Sequence, residues 1–484
     1  MVSTANSAIV RMRPFLTAAL SAAAVVTGLA ACSAPAPESS VEVRVTQVAE
    51  SLVDAEALTI LGDYGQAING KAFQQDVLTT HRRHQYLGYY DAGRRVCLAR
   101  RALPDGEWEI IRFADYDFTS NDAHNIISLG ICTANGTLHL AFDHHGHPLH
   151  YRVSRAGALA RPRRTAWDAT LFGPVIGELE TGRPIRITYP RFIPTPDGGL
   201  QFCYRQGGSG NGDRMLVDYD PEGGSWSGTR LIDSGAGDFG DEWGESDSRC
   251  SYPNGYDYGP SGRLHVTWVW RESSQGANHD LMYAFSEDRG VNWRDNAGVV
   301  LPGPPRVDTP GITVVSISRG LGLMNTHGQA VDSEGRIHTV MWHCTERSLA
   351  ATGSEPGAER WGPAAARSYH HYWRDLEGSW HHIELPGLSG SRPKLFFTPR
   401  DTAVLIFGTD RGPASALKIA VATAARQWAD WRIVHTEPGP FVNEMLGDPV
   451  RWRQEGILSI LVQDTPASPH EPTPLRVLDF RVRR

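Results

Sequence analysis

Apolar and polar residues alternate in short runs along most of the chain, and the runs follow turn-forming residues. Asn135-Gly136 precedes TLHLAFDHH, Gly198-Gly199 precedes LQFCYRQ and Ser261-Gly262 precedes RLHVTWVWRE. Glu334-Gly335 precedes RIHTVMWH, and Gly456 precedes ILSILVQD. Two weaker members are Gly93 before RRVCLAR and Arg400-Asp401 before TAVLIFG. A period of two is that of a strand with one face buried. An apolar strand also precedes most of these turns, as in NIISLGICT, so each unit opens on a hairpin. The turns stand at positions 93, 136, 199, 262, 335, 401 and 456. No long segment shows the 3.6-residue period of an amphipathic helix.

A tryptophan closes most units: Trp108, Trp167, Trp226, Trp293, Trp380 and Trp428 or Trp431. The clearest case is SEDRGVNW, residues 286–293, an S-x-D-x-G-x-x-W pattern known as the Asp-box or BNR repeat. Its Asp288 and Gly290 suit a tight turn, and Trp293 suits packing between sheets. Asp220 to Trp226 and Asp375 to Trp380 are fainter copies. Seven hairpin units in phase with such a box predict an all-β fold, a seven-bladed β-propeller, with six or eight blades as the alternatives. The propeller is expected over residues 51–484.

Hairpin pairing then places side chains. In a two-residue hairpin, paired positions sum to a constant. Around Asn135-Gly136, His124 faces His147 and His144 faces Ile127. Around Asp197-Gly198, Tyr189 faces Gln206 and Arg205 faces Pro190. Around Ser261-Gly262, Tyr252 faces Arg271, and around Glu334-Gly335, His327 faces Trp342 beside His343 and Cys344. Four successive blades thus carry His, Tyr and Arg at the end away from the turn. His124, His144, Tyr189 and Arg205 are the candidate catalytic set. Histidine and tyrosine can take and give protons, and an arginine fork suits a carboxylate. That combination fits proton abstraction beside a uronate carboxylate. No G-x-S-x-G, H-E-x-x-H or P-loop motif is present.

The chain has 484 residues, 40% hydrophobic and 21% charged, with a net charge of −7. This is globular composition, and the acidic balance argues against a nucleic-acid binder. Its basic residues are almost all arginine; Lys71, Lys394 and Lys418 are the three lysines. Asp238, Asp241, Glu242, Glu245 and Asp247 crowd a glycine-rich loop, either a solvated loop or a calcium site. His327, His343, Cys344, His370 and His371 are weak candidates for a structural zinc, at spacings of no standard motif. No cofactor is required by the chemistry inferred.

Arg11 and Arg13 precede an apolar run that ends Leu29-Ala30-Ala31-Cys32. These are features of a secretory signal, and the junction resembles a bacterial lipoprotein box, with Cys32 as the lipidated first mature residue. Residues 1–31 are read as signal peptide and 32–50 as a flexible tether. The expected location is the bacterial surface or periplasm, lipid-anchored with the outer membrane favoured, or secreted. The five remaining cysteines do not suggest a disulfide framework.

The stretch Asp122-Ala123-His124-Asn125, then SLGIC and AFDHHGHPLHYRVS, resembles the BNR-repeat family that includes the propeller ulvan lyases. NHDLMYAFSEDRGVNW and HHYWRDLEGSW fit the same family. The resemblance spans roughly residues 60–480 and is more specific in its first half. It implies a seven-bladed propeller and β-elimination of ulvan, a sulfated rhamnose–uronic acid polymer. It implies His124 and Tyr189 as the acid/base pair, Arg205 as carboxylate neutraliser and His144 as a positioning or proton-sharing group. Tyr252 and Arg271 would hold sugar or sulfate groups, with His145 and His279 as further substrate contacts. The expected partner is an acidic polysaccharide, and the chain is expected to be a monomer. Related propellers hydrolyse rhamnosyl–glucuronic linkages, and a non-catalytic glycan-binding propeller is a third reading.

Overall fold

Seven antiparallel sheets follow one another around the molecule in the computed structural model. The structure describes residues 42–483 apart from 63–64, 72–76, 274–275, 410–414 and 443. The expected signal peptide and Cys32 lie outside the described residues.

Blade one contains Leu78–His81, His84–Tyr90, Arg95–Ala102 and Glu109–Asp117. Blade two contains Ile127–Cys132, Thr137–Phe142 and Tyr151–Val153. Blade three contains Arg186–Pro194, Leu200–Gly208, Asn211–Asp220 and Ser225–Asp233, and His145–Pro148 adds to its first strand. Blades four, five and six begin at Arg249–Tyr258, Gly328–Val331 and Lys394–Phe397, and each has four strands. Blade seven joins the two ends of the chain. Arg44–Ala57 pairs with Thr473–Arg483, which pairs with Ile457–Gln463 and then Leu446–Gly447. The strand therefore begins inside the stretch expected to be tether, and the ordered fold starts at Arg44 rather than at residue 51. Pairing of these two distant segments in one blade closes the ring.

Apolar alternation explains where the core lies. Each blade buries both faces of its central strands against its neighbours, and a cluster fills each blade interface. Leu129, Leu140 and Phe142 meet Tyr90 and Leu98 between blades one and two. Leu216, Trp268 and Trp293 meet between blades three and four. Val404, Ile406, Leu458 and Ile460 meet between six and seven. Where first strands come closest, a glycine is needed: a Cβ on Gly130 would lie 2.4 Å from Phe192.

The Asp-box behaves as its sequence predicts. Ser286 Oγ donates to Asp288 Oδ1 at 2.8 Å and accepts from Gly290 N–H at 2.7 Å. Gly290 has φ +83°, and Trp293 is 5% exposed. The weaker copies, Asp220 to Trp226 and Asp375 to Trp380, occupy the same link between third and fourth strands.

The turn at Gly93 does not open its blade. Gly93 lies between His84–Tyr90 and Arg95–Ala102, whereas the opening hairpin of blade one turns at Arg82 and Arg83. Both arginines adopt positive φ, +48° and +58°, so no glycine marks this turn.

Candidate active site

The loop before Ile127–Cys132 is tied by its own short polar side chains. Ser120 Oγ accepts from Asp122 N–H at 3.0 Å and from Asn125 Nδ2 at 2.9 Å. Asp122 Oδ1 accepts from the backbone N–H of His124 at 3.0 Å. Such Asx-type bonds hold a turn without helix or ladder. The same carboxylate then receives two rings. His124 Nδ1 donates to Oδ1, and His145 Nδ1 donates to Oδ2 at 2.5 Å. The two imidazoles stack with centroids 4.3 Å apart and planes 21° apart. Both are half-buried.

Tyr189 faces this pair from blade three. Its ring centroid is 5.9 Å from that of His124 and 6.2 Å from that of His145. Thr188 pairs with both His145 and Arg205, and a register shift follows between Thr188 and Arg191. Tyr189 sits in that irregularity with φ +53°. A tyrosine in the left-handed region is a local cost, and such costs gather at functional sites.

Three guanidinium groups surround the tyrosines. Arg205 lies 5.0 Å from the ring centroid of Tyr189 and 5.5 Å from that of Tyr252. Its Nη1 donates to Tyr252 Oη at 3.1 Å. Arg271 Nη1 donates to the same hydroxyl at 2.9 Å, with its guanidinium 4.3 Å from the Tyr252 centroid. Arg392, just before blade six, forms an ion pair with Glu444 at 2.7 Å. Its charge acts on both His124 and Tyr189, so the ends of blades two, three and six face a common space.

Burial and hydrogen bonding set the protonation states. Burial lowers the His124 pKa to about 4 against the pull of Asp122, so the ring is neutral near pH 7. Burial opposes ionisation of Asp122, yet the bonds from His124 and His145 hold its carboxyl well below the usual range. A carboxylate can only accept, so Nδ1 of each ring carries the hydrogen and Nε2 is the basic nitrogen of neutral His124. Burial and neighbouring Tyr252 push the Tyr189 phenol well above its ordinary value, despite Arg205, Arg271 and Arg392. Tyr189 is therefore a phenol at neutral pH. Arg205 does not poise a tyrosinate here, because desolvation outweighs the cations.

The structure gathers His124, His145, Tyr189, Arg205, Tyr252 and Arg271, but by different pairings from those expected. Ile127 pairs with Phe142, two places from the expected His144, because residues 133–136 make a four-residue link. His124 does not face His147. Arg205 pairs with Thr188, not Pro190, and Tyr252 pairs with Val269, while Arg271 pairs with Cys250.

Two expected site residues lie elsewhere. His144 is fully buried, and its Nε2 accepts from His150 N–H at 2.8 Å. His279 is 1% exposed, bridges Glu272 at 2.9 Å and Asp280 at 3.0 Å, and stacks on Phe239. Neither belongs to the constellation at Tyr189. The weak zinc candidates also part company. His343 and His370 stack at 3.6 Å, but His370 Nδ1 bonds His382 and His371 Nε2 bonds His338. His327 Nε2 accepts from Trp342 N–H, and Cys344 packs with Leu349 and Ala366. In the acidic loop, Asp241 pairs with Arg319, and Glu242 accepts from Ser318. Among the described residues, the one group with metal-ligand geometry is Asp122, His124 and His145, whose ligand atoms lie within 4.8 Å of one another.

Sequence reasoning assigned no role to Asp122 and overlooked Arg392 and Glu444. Asp122 had a signal, since it stands two residues before His124 in Asp-Ala-His-Asn. Arg392 had none, because it reaches the site from a distant blade.

Residues 84–387, more than half of the chain, match the BNR repeat-containing family. An ulvan lyase (long isoform) from Alteromonas sp. (strain LOR) is 29% identical over 189 residues, 31% of this chain and 19% of that protein. One from Glaciecola sp. (strain KUL10) is 25% identical over 256 residues, 44% of this chain and 25% of that protein. The chain thus matches only a fifth to a quarter of the length of these curated relatives. The crystal structure of polysaccharide lyase Uly1 superposes with a TM-score of 0.69 at 17% identity, covering 90% of this chain and 99% of that one. A PL25 ulvan lyase bound to -[GlcA(1-4)Rha3S]- superposes with a TM-score of 0.62 at 11% identity, covering 89% and 95%. These likenesses support the seven-bladed fold.

Proposed function

The chain belongs to the BNR repeat-containing family, and from that premise we propose that it is a polysaccharide lyase acting on a uronate-containing, ulvan-like polymer by β-elimination. The observation that carries this is the pairing of a neutral histidine with a protonated tyrosine amid arginines: His124 and Tyr189 ring centroids are 5.9 Å apart. The curated relatives named as ulvan lyases support the substrate class.

In the proposed reaction, His124 Nε2 takes the C5 proton of the uronate. The electrons form the C4–C5 double bond as the C4–O4 bond breaks, and the Tyr189 phenol delivers a proton to O4. One proton is taken and one given, so the products are an unsaturated uronate and a free hydroxyl. Burial favours both starting protonation states, neutral imidazole and neutral phenol. Asp122 fixes the His124 tautomer and stabilises the imidazolium that forms. Arginine charge near the C5 carboxylate acidifies the proton. Arg205 is 4% exposed beneath the tyrosines, whereas Arg271 and Arg392 are half-buried at the opening, so these share that task.

The test is product chemistry on a panel of algal and plant polyuronates. The ultraviolet absorbance of an unsaturated uronate is expected to grow with time. Saturated ends would indicate a propeller hydrolase, and binding without turnover would indicate a glycan-binding module.

We further propose that the chain is anchored by lipid at Cys32, on the strength of the Leu-Ala-Ala-Cys junction. Cys32→Ala should move the protein from the membrane to the soluble fraction. Unchanged fractionation would overturn the anchor.

A further inference from the structure

Beneath Tyr189 the molecule holds more positive charge than its neighbours balance. A cavity of about 20 Å³ lies there, lined by Arg191, Arg205, Arg214, Tyr189, Tyr256 and Thr326 among others. Arg191 is 3% exposed, and Arg205 and Arg214 are 4% exposed. Arg214 pairs with Asp233 and donates to Tyr256 Oη at 2.6 Å. Arg191 and Arg205 form no ion pair among the described residues. Arg191 spends Nη2 on the Pro253 carbonyl at 3.3 Å, and Arg205 spends Nη1 on Tyr252 and Cys250.

The remaining N–H groups make the case. Nε and Nη1 of Arg191, Nε of Arg205 and Nε of Arg214 are buried and have no hydrogen-bond partner among the described residues. The carboxyl of Asp257 acts on Arg191 electrostatically. Its Oδ2, however, accepts from Gln329 at 2.7 Å, and burial raises its pKa toward the neutral form. Buried cations are costly unless paired, and several donors of one sign around one space call for an acceptor with negative charge. A cavity of this size admits one water-sized particle. The carboxylate or sulfate of a sugar is too large for it.

We propose that the cavity lined by Arg191, Arg205 and Arg214 binds a single halide ion, chloride in ordinary solution, directly behind Tyr189. The ion would accept from guanidinium N–H groups and balance the charge of Arg191 and Arg205, which form no ion pair among the described residues. It would also oppose ionisation of the neighbouring phenol and so keep Tyr189 able to donate. That last consequence rests on the reading of Tyr189 as the acid; the site itself does not.

The full chain, prepared in gluconate, is titrated with sodium bromide or chloride at constant ionic strength. Thermal unfolding is followed, and bromide-soaked crystals are read by anomalous diffraction. A saturable rise in Tm of about 2 °C or more is expected with either halide. One anomalous peak is expected within hydrogen-bond distance of Arg191 and Arg205. Arg191→Met should abolish the Tm response; should that variant fail to fold, the peak in the wild type decides. In turnover assays, chloride removal should shift the alkaline limb of the pH–rate profile to lower pH. A peak without lyase activity would keep the halide site and remove the lyase reading. Water density in the cavity, or equal Tm in chloride and gluconate, would overturn the proposal.

Discussion

Tyr189 pays for its position in the backbone, with φ +53° inside a register shift, and that position turns its ring toward His124. On the proposed reading the hydroxyl delivers the proton and the ring merely packs. Tyr189→Phe should therefore lower kcat by about 100-fold or more, the usual scale for a proton-transfer group. Polymer binding and Tm should stay close to wild type. A rate within threefold of wild type would remove Tyr189 from the chemistry. Asp122 makes a different prediction, because it acts through the two rings it holds. Asp122→Asn keeps the shape but can donate where only an acceptor fits, so the His124 tautomer is no longer fixed. Turnover should fall with little change in KM, and Asp122→Glu should recover part of it. A change confined to Tm would mean that Asp122 only braces the loop.

At the scale of elements, the Asp-box and the closing strand carry stability rather than chemistry. Trp293 packs with Leu216 and Trp268 between blades three and four, and Gly290 approaches Leu216 so closely that a Cβ would lie 2.7 Å from it. Trp293→Ala should cost about 3–5 kcal/mol, the range for removing a buried large aromatic. Calorimetry should show a clear drop in Tm, while a shift of less than a degree would contradict the packing argument. Arg44–Ala57 closes the ring from the opposite end of the chain. Its residues alternate between exposed and half-buried over their first half, a weak apolar signal. That is why a tether was expected there: the pairing partner lies more than four hundred residues away.

At the scale of the whole molecule, several blades bury histidines that are uncharged. Burial lowers the pKa of His139 and of His265 to about 3. An unfolded chain would protonate both near 6.5, so between pH 3 and 6.5 the unfolded state binds more protons than the native one. Stability must then fall as pH drops through that window. At pH 5 each of the two residues costs about 2 kcal/mol relative to pH 8. His279 runs the other way: although burial opposes it, its bonds to Asp280 and Glu272 raise its pKa. Urea unfolding from pH 8 to pH 5 should show a falling midpoint. A flat profile would mean that these rings are charged or solvated in the native state.

Period-two alternation, turn residues and the Asp-box are local signals, and they predicted the all-β class and a propeller of seven blades. Each depends on a few neighbouring residues whose preferences agree with the final fold. Tertiary structure decided what lies beyond that range. A four-residue link and a bulge displaced the expected pairings, because register depends on turn geometry that alternation does not record. His144 and His145 are adjacent in the chain, yet one is fully buried and the other faces Tyr189. Which neighbour points inward follows from the pleat and from the strand it joins. Asp122 is a bridge because His145 comes to it from a strand of the next blade, and Arg392 acts on His124 from the entry to blade six. Protonation followed last, since it is set by how completely the assembled blades remove water from each group.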